Sequence, residues 1–402
     1  MPNPRVVLIL GGGVIGLSTG IHLLEQHKEQ SQGKTSDLKV IIASEYLPRE
    51  VDRQLSPEQS QTELQQALKA YPASYASIWA GAHHVTDTNE PFMGTVVKKT
   101  YDRLVRLEKQ FSQEQSPYFP APLYWVEQIE HFAASKKGES SPPWTGLFDY
   151  YPDFRVLEKA THSDHSCTFR TLDIDTRTYL PWLLSRFREL GGVTLPSFHF
   201  ASITSAVSSP ITREALAGKH PDAIVVATGH YLPKNDELTE ADNEEKAKDF
   251  TLRGQVLRVR APWRGPVGIS RVNEYGFRDI YCLPFSDGTF VVGGTRVPND
   301  VDPNPQNETT DAILRRVLPI IPDLRKPDAD LSAPLQTQVD IFAVGVGLRP
   351  SRRGGPRIER DDTGLDGAAI VWCYGFGGTG YQSSWGSAEA VCELLHKTVR
   401  SA

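Results

Sequence analysis

Apolar residues are concentrated in short runs at the start of the chain. Residues 6–10 (VVLIL) form an unbroken apolar run, which is typical of a strand buried on both faces. Apolar residues then recur at helical spacing and predict a helix over residues 14–27. A second apolar run at residues 38–43 predicts another strand. The N-terminal part is therefore predicted to be a β–α–β unit with a polar insertion at residues 28–37.

The middle of the chain is more polar and less regular. Apolar spacing predicts helices over residues 94–111 and 175–190. Residues 56–71 begin with a Ser-Pro-Glu-Gln capping pattern and continue in good helix formers, which predicts an inserted, solvated helix. The prolines between residues 117 and 154 predict loops and turns. The charged segment 239–249 predicts a loop or a short exposed helix.

Strand patterns dominate the C-terminal half. The turn at residues 286–288 (Ser-Asp-Gly) lies between two β-rich runs and predicts a hairpin. A helix is predicted over residues 311–321, and a closing helix over residues 379–399. The other predicted strands are residues 221–229, 251–263, 338–350 and 368–378. Strand-to-helix units thus occupy both ends of the chain, and we expect the two ends to share one domain.

Composition excludes several classes of protein. The 402 residues carry a formal net charge of −6, which argues against nucleic-acid binding. The four cysteines are scattered, so neither a zinc site nor a disulfide framework is indicated and a reducing, intracellular compartment fits. No run of ~18 apolar residues occurs and no signal peptide is recognised, so we expect neither secretion nor a membrane span.

The first candidate site is a glycine-rich turn between the first strand and helix. Gly11, Gly13 and Gly16 satisfy the G-x-G-x-x-G pattern of dinucleotide-binding turns in the required context. The helix that starts at Val14 and Ile15 supplies free N–H groups and a positive dipole end for phosphates. After the second strand, Ser44 and Glu45 complete the predicted cofactor set, with the Glu45 carboxylate on a ribose hydroxyl. The alternatives are a bare turn and a plain surface glutamate.

A second glycine-rich turn occurs near the C-terminus, in the sequence YGFGGTGYQSSWG at residues 374–386. A nicotinamide enzyme has no need of a second turn of this kind. A flavin does, because its pyrimidine edge accepts hydrogen bonds and carries negative charge when the ring is reduced. The predicted cofactor-binding residues of this turn are Gly377, Gly378, Gly380, Tyr381 and Gln382.

Seven segments together carry a family resemblance. GGGVIGLSTG, IVVATG, RGQVLRV, IYCLP, VVGGTR, VGLRPSRRGGPRIE and YGFGGTGYQSSWG follow one another in the order of the D-amino-acid oxidase family of flavoenzymes, across nearly the whole chain. The resemblance implies an α/β fold in which a Rossmann-like FAD-binding domain is interleaved with a mixed-sheet α+β substrate domain. The predicted FAD-binding domain combines residues 1–90, 160–230 and 335–402, and the predicted substrate-binding domain combines residues 91–159 and 231–334.

The resemblance also implies the chemistry. Members oxidise D-amino acids by transferring the Cα hydrogen as hydride to flavin N5, and dioxygen then reoxidises the flavin to give hydrogen peroxide. The imine product hydrolyses to a 2-oxo acid and ammonia. The expected cofactor is FAD, held without a covalent bond because no flavin-linking Cys or His is recognised. Hydride transfer from a neutral amine needs no side-chain general base, so orientation and electrostatics are expected to carry catalysis.

Site residues carry over from the matching motifs. VGLRP places Arg349 where the family binds the substrate α-carboxylate, and IYCLP places Tyr281 where a hydroxyl assists. YGFGG places the Gly378 carbonyl where the substrate amine donates, and Gln382 near the flavin pyrimidine oxygen. Phe277 lies near a position where broad-specificity mammalian enzymes carry another active-site tyrosine, which leaves that side of the pocket undefined.

Arg296, in VVGGTR, is the position most informative about substrate. Broad-specificity members carry an aromatic or apolar residue after Gly-Gly-Thr, whereas D-aspartate oxidases carry Arg. A second arginine beside Arg349 makes sense for a substrate with two carboxylates, since two guanidiniums alone would repel. Arg271 and Arg278 are weaker candidates for the same task, and Arg296 could instead point to solvent.

The expected function is oxidative deamination of acidic D-amino acids, namely D-aspartate with D-glutamate and N-methyl-D-aspartate as further candidates. The alternatives are an oxidase for neutral D-amino acids, a NAD-dependent dehydrogenase and a non-catalytic dinucleotide-binding protein. The expected partners are a small D-amino acid and O2, and a homo-oligomer is left open. His83 and His84 could line the flavin or the pocket, or be structural. The family implies a peroxisomal address, but the C-terminal VRSA is not of the Ser-Lys-Leu type, so a cytoplasmic location is also open.

Overall fold

The computed structural model describes most of the chain. The described residues are 5–31, 38–49, 68, 70–86, 88, 90–113, 121–132, 146–158, 165–235, 238–261, 265, 267–273 and 278–399. The strands within them are β1 Arg5–Leu10, β2 Leu38–Ala43, β3 Leu123–Phe132, β4 Arg155–Leu157, β5 His165–Ile174, β6 Val193–Leu195, β7 Ala223–Val226, β8 Asp249–Arg260, β9 Val267–Val272, β10 Arg278–Pro284, β11 Thr289–Gly293, β12 Val297–Pro298, β13 Asp340–Arg352, β14 Arg357–Leu365 and β15 Ala368–Tyr374. The α-helices are α1 Val14–Gln30, α2 Ala76–Trp79, α3 Pro91–Gln113, α4 Thr176–Glu189, α5 Ile203–Ser208, α6 Pro210–Ala215, α7 Glu240–Lys248, α8 Asn307–Val317, α9 Leu335–Gln338 and α10 Gly380–Val399. A 3₁₀ turn spans Pro322–Leu324.

A six-stranded sheet joins the two ends of the chain. Its order is β14-β15-β7-β1-β2-β6, and every neighbouring pair except β14–β15 is parallel. The core of β1, β7 and β15 is buried on both faces, which explains their unbroken apolar runs. Helices α1 and α10 pack against each other beside this sheet.

The second sheet of the protein is mixed and has nine strands. Its order is β12-β8-β11-β10-β9-β3-β5-β4, and β13 runs antiparallel along the whole of β8. The pair β3–β9 is parallel, and the other pairs are antiparallel. One face packs on α8 through residues such as Leu257 and Val259. The opposite face, which carries Gly254 and Tyr281, is turned toward the short helix α2.

Most predicted elements occur within a few residues of their expected bounds, including the hairpin β10–β11. The proline-rich region is different, because it contains the ten-residue strand β3 where we predicted loops. Residues 123–132 alternate between buried and half-buried positions, and the prolines on either side obscured this period. The charged segment forms α7, capped by reciprocal bonds between Thr239 and Asp242. The predicted helix 56–71 lies almost entirely outside the described residues.

The observed fold is of the expected α/β class, with two sheets built from interleaved parts of the chain. Two strands pair differently from what the predicted domain boundaries suggest. Strands β5 and β13 fall in segments assigned to the FAD-binding domain, yet both pair within the nine-stranded sheet. The domain boundaries themselves stay a prediction.

Candidate functional site

The first glycine-rich turn connects β1 to α1. Gly11 has a backbone φ of +116°, and a Cβ there would lie closer than 3.0 Å to the backbone that follows β7. Gly16 packs against the Gly11 carbonyl with no room for a side chain. Gly13 is the N-cap of α1 and makes no side-chain cap bond, although the Val14 N–H donates to Ser77 Oγ (3.2 Å). The helix therefore presents its positive end to the space in front of the turn.

The second turn connects β15 to α10. The Gly377 N–H donates to the Pro350 carbonyl (2.7 Å), which fastens the turn to β13. Helix α10 begins at Gly380, and the Tyr381 hydroxyl donates to the Ser77 carbonyl (2.7 Å). Ser77 thus contacts the starts of both helices.

Both turns open onto one cleft of about 420 Å³. The predicted site residues that line it are Gly11, Gly13, Val14, Ile15, Ser44, Glu45, Gly377, Gly378, Gly380, Tyr381 and Arg349. Four others, Gly16, Gln382, Tyr281 and Arg296, are not part of its lining. The cleft can therefore bind a long anionic group between two helix N-termini from opposite ends of the chain.

Ser44 and Glu45 lie at the cleft beyond the end of β2. Ser44 Oγ accepts from the Gly12 N–H (2.9 Å) and donates to the Tyr46 carbonyl (2.8 Å), so it fixes the glycine turn. Glu45 is exposed, and its Oε2 lies 3.3 Å from His199 Nδ1. A carboxylate on the rim of a dinucleotide cleft is placed to accept hydrogen bonds from ribose hydroxyls.

Arg349 lies in the wall of the cleft, on β13. Its side chain is half-buried, and Nη1 donates to the Thr295 carbonyl (3.0 Å). Within the part of the chain that the structure describes, no carboxylate pairs with this guanidinium. A guanidinium with unused donors beside a cleft can bind a carboxylate in bidentate geometry.

Tyr281 and Arg296 approach the same region from the nine-stranded sheet. The Tyr281 hydroxyl lies against Gly294, 2.6 Å from the position that a Cβ would take there. Arg296 is exposed, and its Nη2 lies 3.3 Å from the position that a Cβ on Gly378 would take. The segment at residues 293–296 therefore carries Arg296 and contacts Tyr281 and Arg349, the other two predicted substrate-binding side chains.

The weaker arginine candidates are already engaged with carboxylates. Arg271 Nη2 lies 2.6 Å from Asp279 Oδ2, and Arg278 Nε lies 3.1 Å from Glu130 Oε2. Because a carboxylate of the protein already offsets the charge of each guanidinium, neither arginine is well suited to bind a second substrate carboxylate. Phe277 lies outside the described residues.

Sequence reasoning missed Tyr75 and Ser77, which lie at the start of α2. The Tyr75 hydroxyl donates to the Gly12 carbonyl (2.9 Å), and the Trp79 ring packs against the backbone of Gly345 and Gly347. Tyr75, Ser77 and Trp79 all line the cleft. The Trp-Ala-Gly-Ala stretch that begins at Trp79 resembles a flavin-facing segment of the family, whereas Tyr75 and Ser77 belong to no recognised motif and only their long-range contacts identify them.

His84 is a structural residue. It is fully buried, with Nδ1 2.8 Å from the Tyr151 hydroxyl and Nε2 3.1 Å from the Val97 carbonyl. Burial lowers the pKa of His84 to about 4, so the ring is neutral. His83 lies opposite Asp173 in a β-bridge, with 4.0 Å between Nδ1 and Oδ1.

Asp173 is expected to cost stability at neutral pH. Its carboxylate is fully buried, neither oxygen has a hydrogen-bond partner in the described structure, and burial raises its pKa well above the usual range. Above pH ~3.9 the unfolded chain releases this proton more readily than the folded one, so folding weakens as pH rises by about 1.4 kcal/mol per pH unit up to the folded pKa. Asp173→Asn should therefore be more stable than wild type at pH 7, with the difference vanishing near pH 3.

Chemical denaturation of both proteins at several pH values measures this difference. A less stable Asp173→Asn variant at pH 7 would contradict the prediction, because it would show that Asp173 is ionised and paired with His83.

Other chemistry is limited among the described residues. No group of three or more His, Cys, Asp or Glu side chains in them could hold a metal ion. All four cysteines are buried and free. None of the helices that the structure describes is long and apolar enough to cross a membrane.

Known proteins resemble this chain over almost its whole length. A D-aspartate oxidase from Cryptococcus neoformans var. grubii is 29% identical, covering 100% of this chain and 99% of the relative. A D-amino-acid oxidase from Fusarium vanettenii is 25% identical over 99% of this chain and 98% of the relative. The crystal structure of glycine oxidase from Geobacillus kaustophilus superposes with a TM-score of 0.68 at 15% identity, covering 98% of this chain and 95% of that one, and so shows a shared fold.

The similarity of this chain to one family extends far beyond any single motif. The model of the FAD-dependent oxidoreductase family DAO matches residues 7–394, which include both glycine-rich turns and the strands between them. The resemblance seen in the sequence is confirmed: this chain belongs to the DAO family of FAD-dependent oxidoreductases.

Proposed function

We propose that this protein oxidises acidic D-amino acids, D-aspartate above all, to a 2-oxo acid, ammonia and hydrogen peroxide. The observation that carries the proposal is the convergence of two guanidiniums on one segment. Arg349 donates to the carbonyl of Thr295, and the next residue, Arg296, extends its guanidinium to Gly378 on the rim of the same cleft. Two guanidiniums that reach the same segment beside one cleft favour a ligand with two carboxylates.

The residues present fit FAD. Two helix N-termini begin at the cleft, Gly11 and Gly13 bring backbone close to it, and Glu45 lies on its rim. When bound, FAD supplies the hydride acceptor and passes the electrons to dioxygen. The first turn would hold the pyrophosphate, Glu45 the ribose, and the start of α10 the pyrimidine edge.

The chain's own residues orient the substrate. In this proposal Arg349 binds the α-carboxylate, the Tyr281 hydroxyl donates to it, and the Gly378 carbonyl accepts from the amine. Three fixed points determine the direction of the Cα–H bond, which is the main requirement of a reaction controlled by orientation. Arg296 binds the β-carboxylate and so selects acidic substrates.

An oxygen-consumption panel tests the proposal. D-aspartate, D-glutamate and N-methyl-D-aspartate should be oxidised with higher kcat/KM than D-alanine or D-methionine, and L-aspartate should be inert. The exposure of Arg296 favours the second candidate, an oxidase for neutral D-amino acids in which this side chain points to solvent. A wild-type enzyme that prefers D-methionine would establish that second candidate.

The flavin should be bound tightly but without a covalent bond. We base this on the two turns, which offer backbone amides to the cofactor, while the four cysteines are buried and His84 is engaged with Tyr151 and Val97. Acid precipitation of the purified yellow protein should release FAD into the supernatant, where its absorption spectrum and mass identify it. Flavin that stays with the precipitate would contradict non-covalent binding, and colourless protein that FAD cannot reconstitute would exclude a flavoenzyme.

A further inference from the structure

The Arg349 side chain lies flat across a glycine of the neighbouring strand. Strands β8 and β13 pair so that Gly254 is opposite Gly347, which places Arg349 at the diagonal position on the same face. A Cβ on Gly254 would come closer than 3.0 Å to the guanidinium carbon and to both terminal nitrogens, an approach that real Cβ atoms do not show. The guanidinium therefore occupies the volume that any other residue at position 254 would fill.

Backbone conformation does not account for this glycine. Gly254 lies in the regular ladder between β8 and β13, and it is not one of the glycines with positive φ. Glycine inside a strand is destabilising relative to alanine, so it needs another reason to be there. Close approach of another group is the usual reason, and here that group is Arg349.

The far side of the same guanidinium is also fixed. Arg349 Nη1 donates to the Thr295 carbonyl (3.0 Å), and Thr295 Oγ1 accepts from the backbone N–H of Gln255, the residue after Gly254 (2.9 Å). Arg349 is thus held between β8 below and the Thr295 carbonyl beside it. The Tyr281 side chain also packs on a glycine, since its hydroxyl lies against Gly294.

We infer that Gly254 is a positioning residue for substrate binding: its missing side chain sets the place of the Arg349 guanidinium and hence of the substrate carboxylate. This inference rests on the proposed role of Arg349. Because the atoms that an added Cβ would meet belong to the far end of a flexible side chain, Gly254→Ala should fold, and the adjustment should fall on Arg349.

The test compares Gly254→Ala with Gly268→Ala in the FAD-loaded enzyme. Gly268 is the matched control, because a Cβ there meets the Gln128 side chain on the same sheet and leaves Arg349 untouched. Gly254→Ala should raise KM for D-aspartate and lower kcat/KM by ~10²-fold, the usual cost of a 1 Å misplacement. It should also raise the Kd of benzoate, a probe that offers Arg349 a carboxylate but has no amine-bearing Cα–H to oxidise, titrated through the flavin absorbance without turnover. FAD affinity and Tm should stay close to those of the control.

A double-mutant cycle separates positioning from general damage. In an Arg349→Ala background, Gly254→Ala should cause no further loss of benzoate affinity, because the group that it displaces is gone. An equal loss in both backgrounds, or normal benzoate binding by Gly254→Ala, would overturn the inference. An unchanged Arg349→Ala single mutant would instead refute the proposed role of Arg349, so the two failures are distinguishable.

Discussion

Replacing Arg349 with alanine should lower kcat/KM on every D-amino acid by ~10²–10⁴-fold. The guanidinium lies in the cleft wall without a carboxylate partner in the described structure, so we expect the substrate α-carboxylate to be its counter-ion. Removing one member of a desolvated ion pair costs roughly 3–5 kcal/mol, and the α-carboxylate is common to all substrates. The measurement is kcat/KM on D-aspartate and D-methionine at matched FAD occupancy.

Two further variants control this experiment. Arg349→Lys keeps the charge but loses the bidentate fork, so we expect partial recovery. Arg353→Ala removes an exposed arginine just beyond the same strand and should leave kcat/KM unchanged. Near-normal turnover by Arg349→Ala would show that another group binds the α-carboxylate.

Replacing Arg296 with alanine should cause a selective loss. The change removes the cation at Gly378 and leaves Arg349 and the cofactor turns intact, so kcat/KM on D-aspartate should fall by ~10²-fold or more. Turnover of D-alanine and D-methionine should hold or rise, because the change removes a positive charge with which their apolar side chains cannot pair.

The ratio of kcat/KM for D-aspartate and D-methionine is the measurement that matters here. Arg296→Lys should retain part of the preference for D-aspartate, since it keeps the charge. If the two substrates lose activity in parallel, Arg296 has a structural role, and the acidic specificity must be sought elsewhere in the pocket.

The parts of the site that could be predicted from the sequence are those determined by residues close together in the chain. Gly11 and Gly16 are required by a single turn, and the turn at Gly377 follows the same local logic, so a pattern of a few residues is sufficient. The Arg349 assignment came from a motif that spans one strand. The absence of a carboxylate partner for Arg349 among the described residues could not be predicted, because it depends on which carboxylates the fold brings near.

The missed features all depend on contacts between distant segments. Tyr75 reaches Gly12 from the position just before the short helix α2, and Ser77 bridges the starts of α1 and α10. Strand β3 was not predicted because prolines on both sides indicated loops, although its pairing with β5 runs through ten residues in register. The role of Gly254 likewise appears only when β8 and β13 are placed side by side.

The order of strands in the six-stranded sheet has a consequence for the synthesis of the protein. Strand β7 lies between β1, which is synthesised first, and β15, which is synthesised near the end. Helix α1 likewise packs against α10, which follows β15. On the ribosome, the β15-facing edge of β7 and the α10-facing side of α1 therefore stay uncovered until residues 368–399 emerge, and such a surface is prone to aggregation or chaperone capture. The nascent chain lacks half of its nucleotide cleft throughout this period, so the flavin can stabilise the fold only after translation has passed α10.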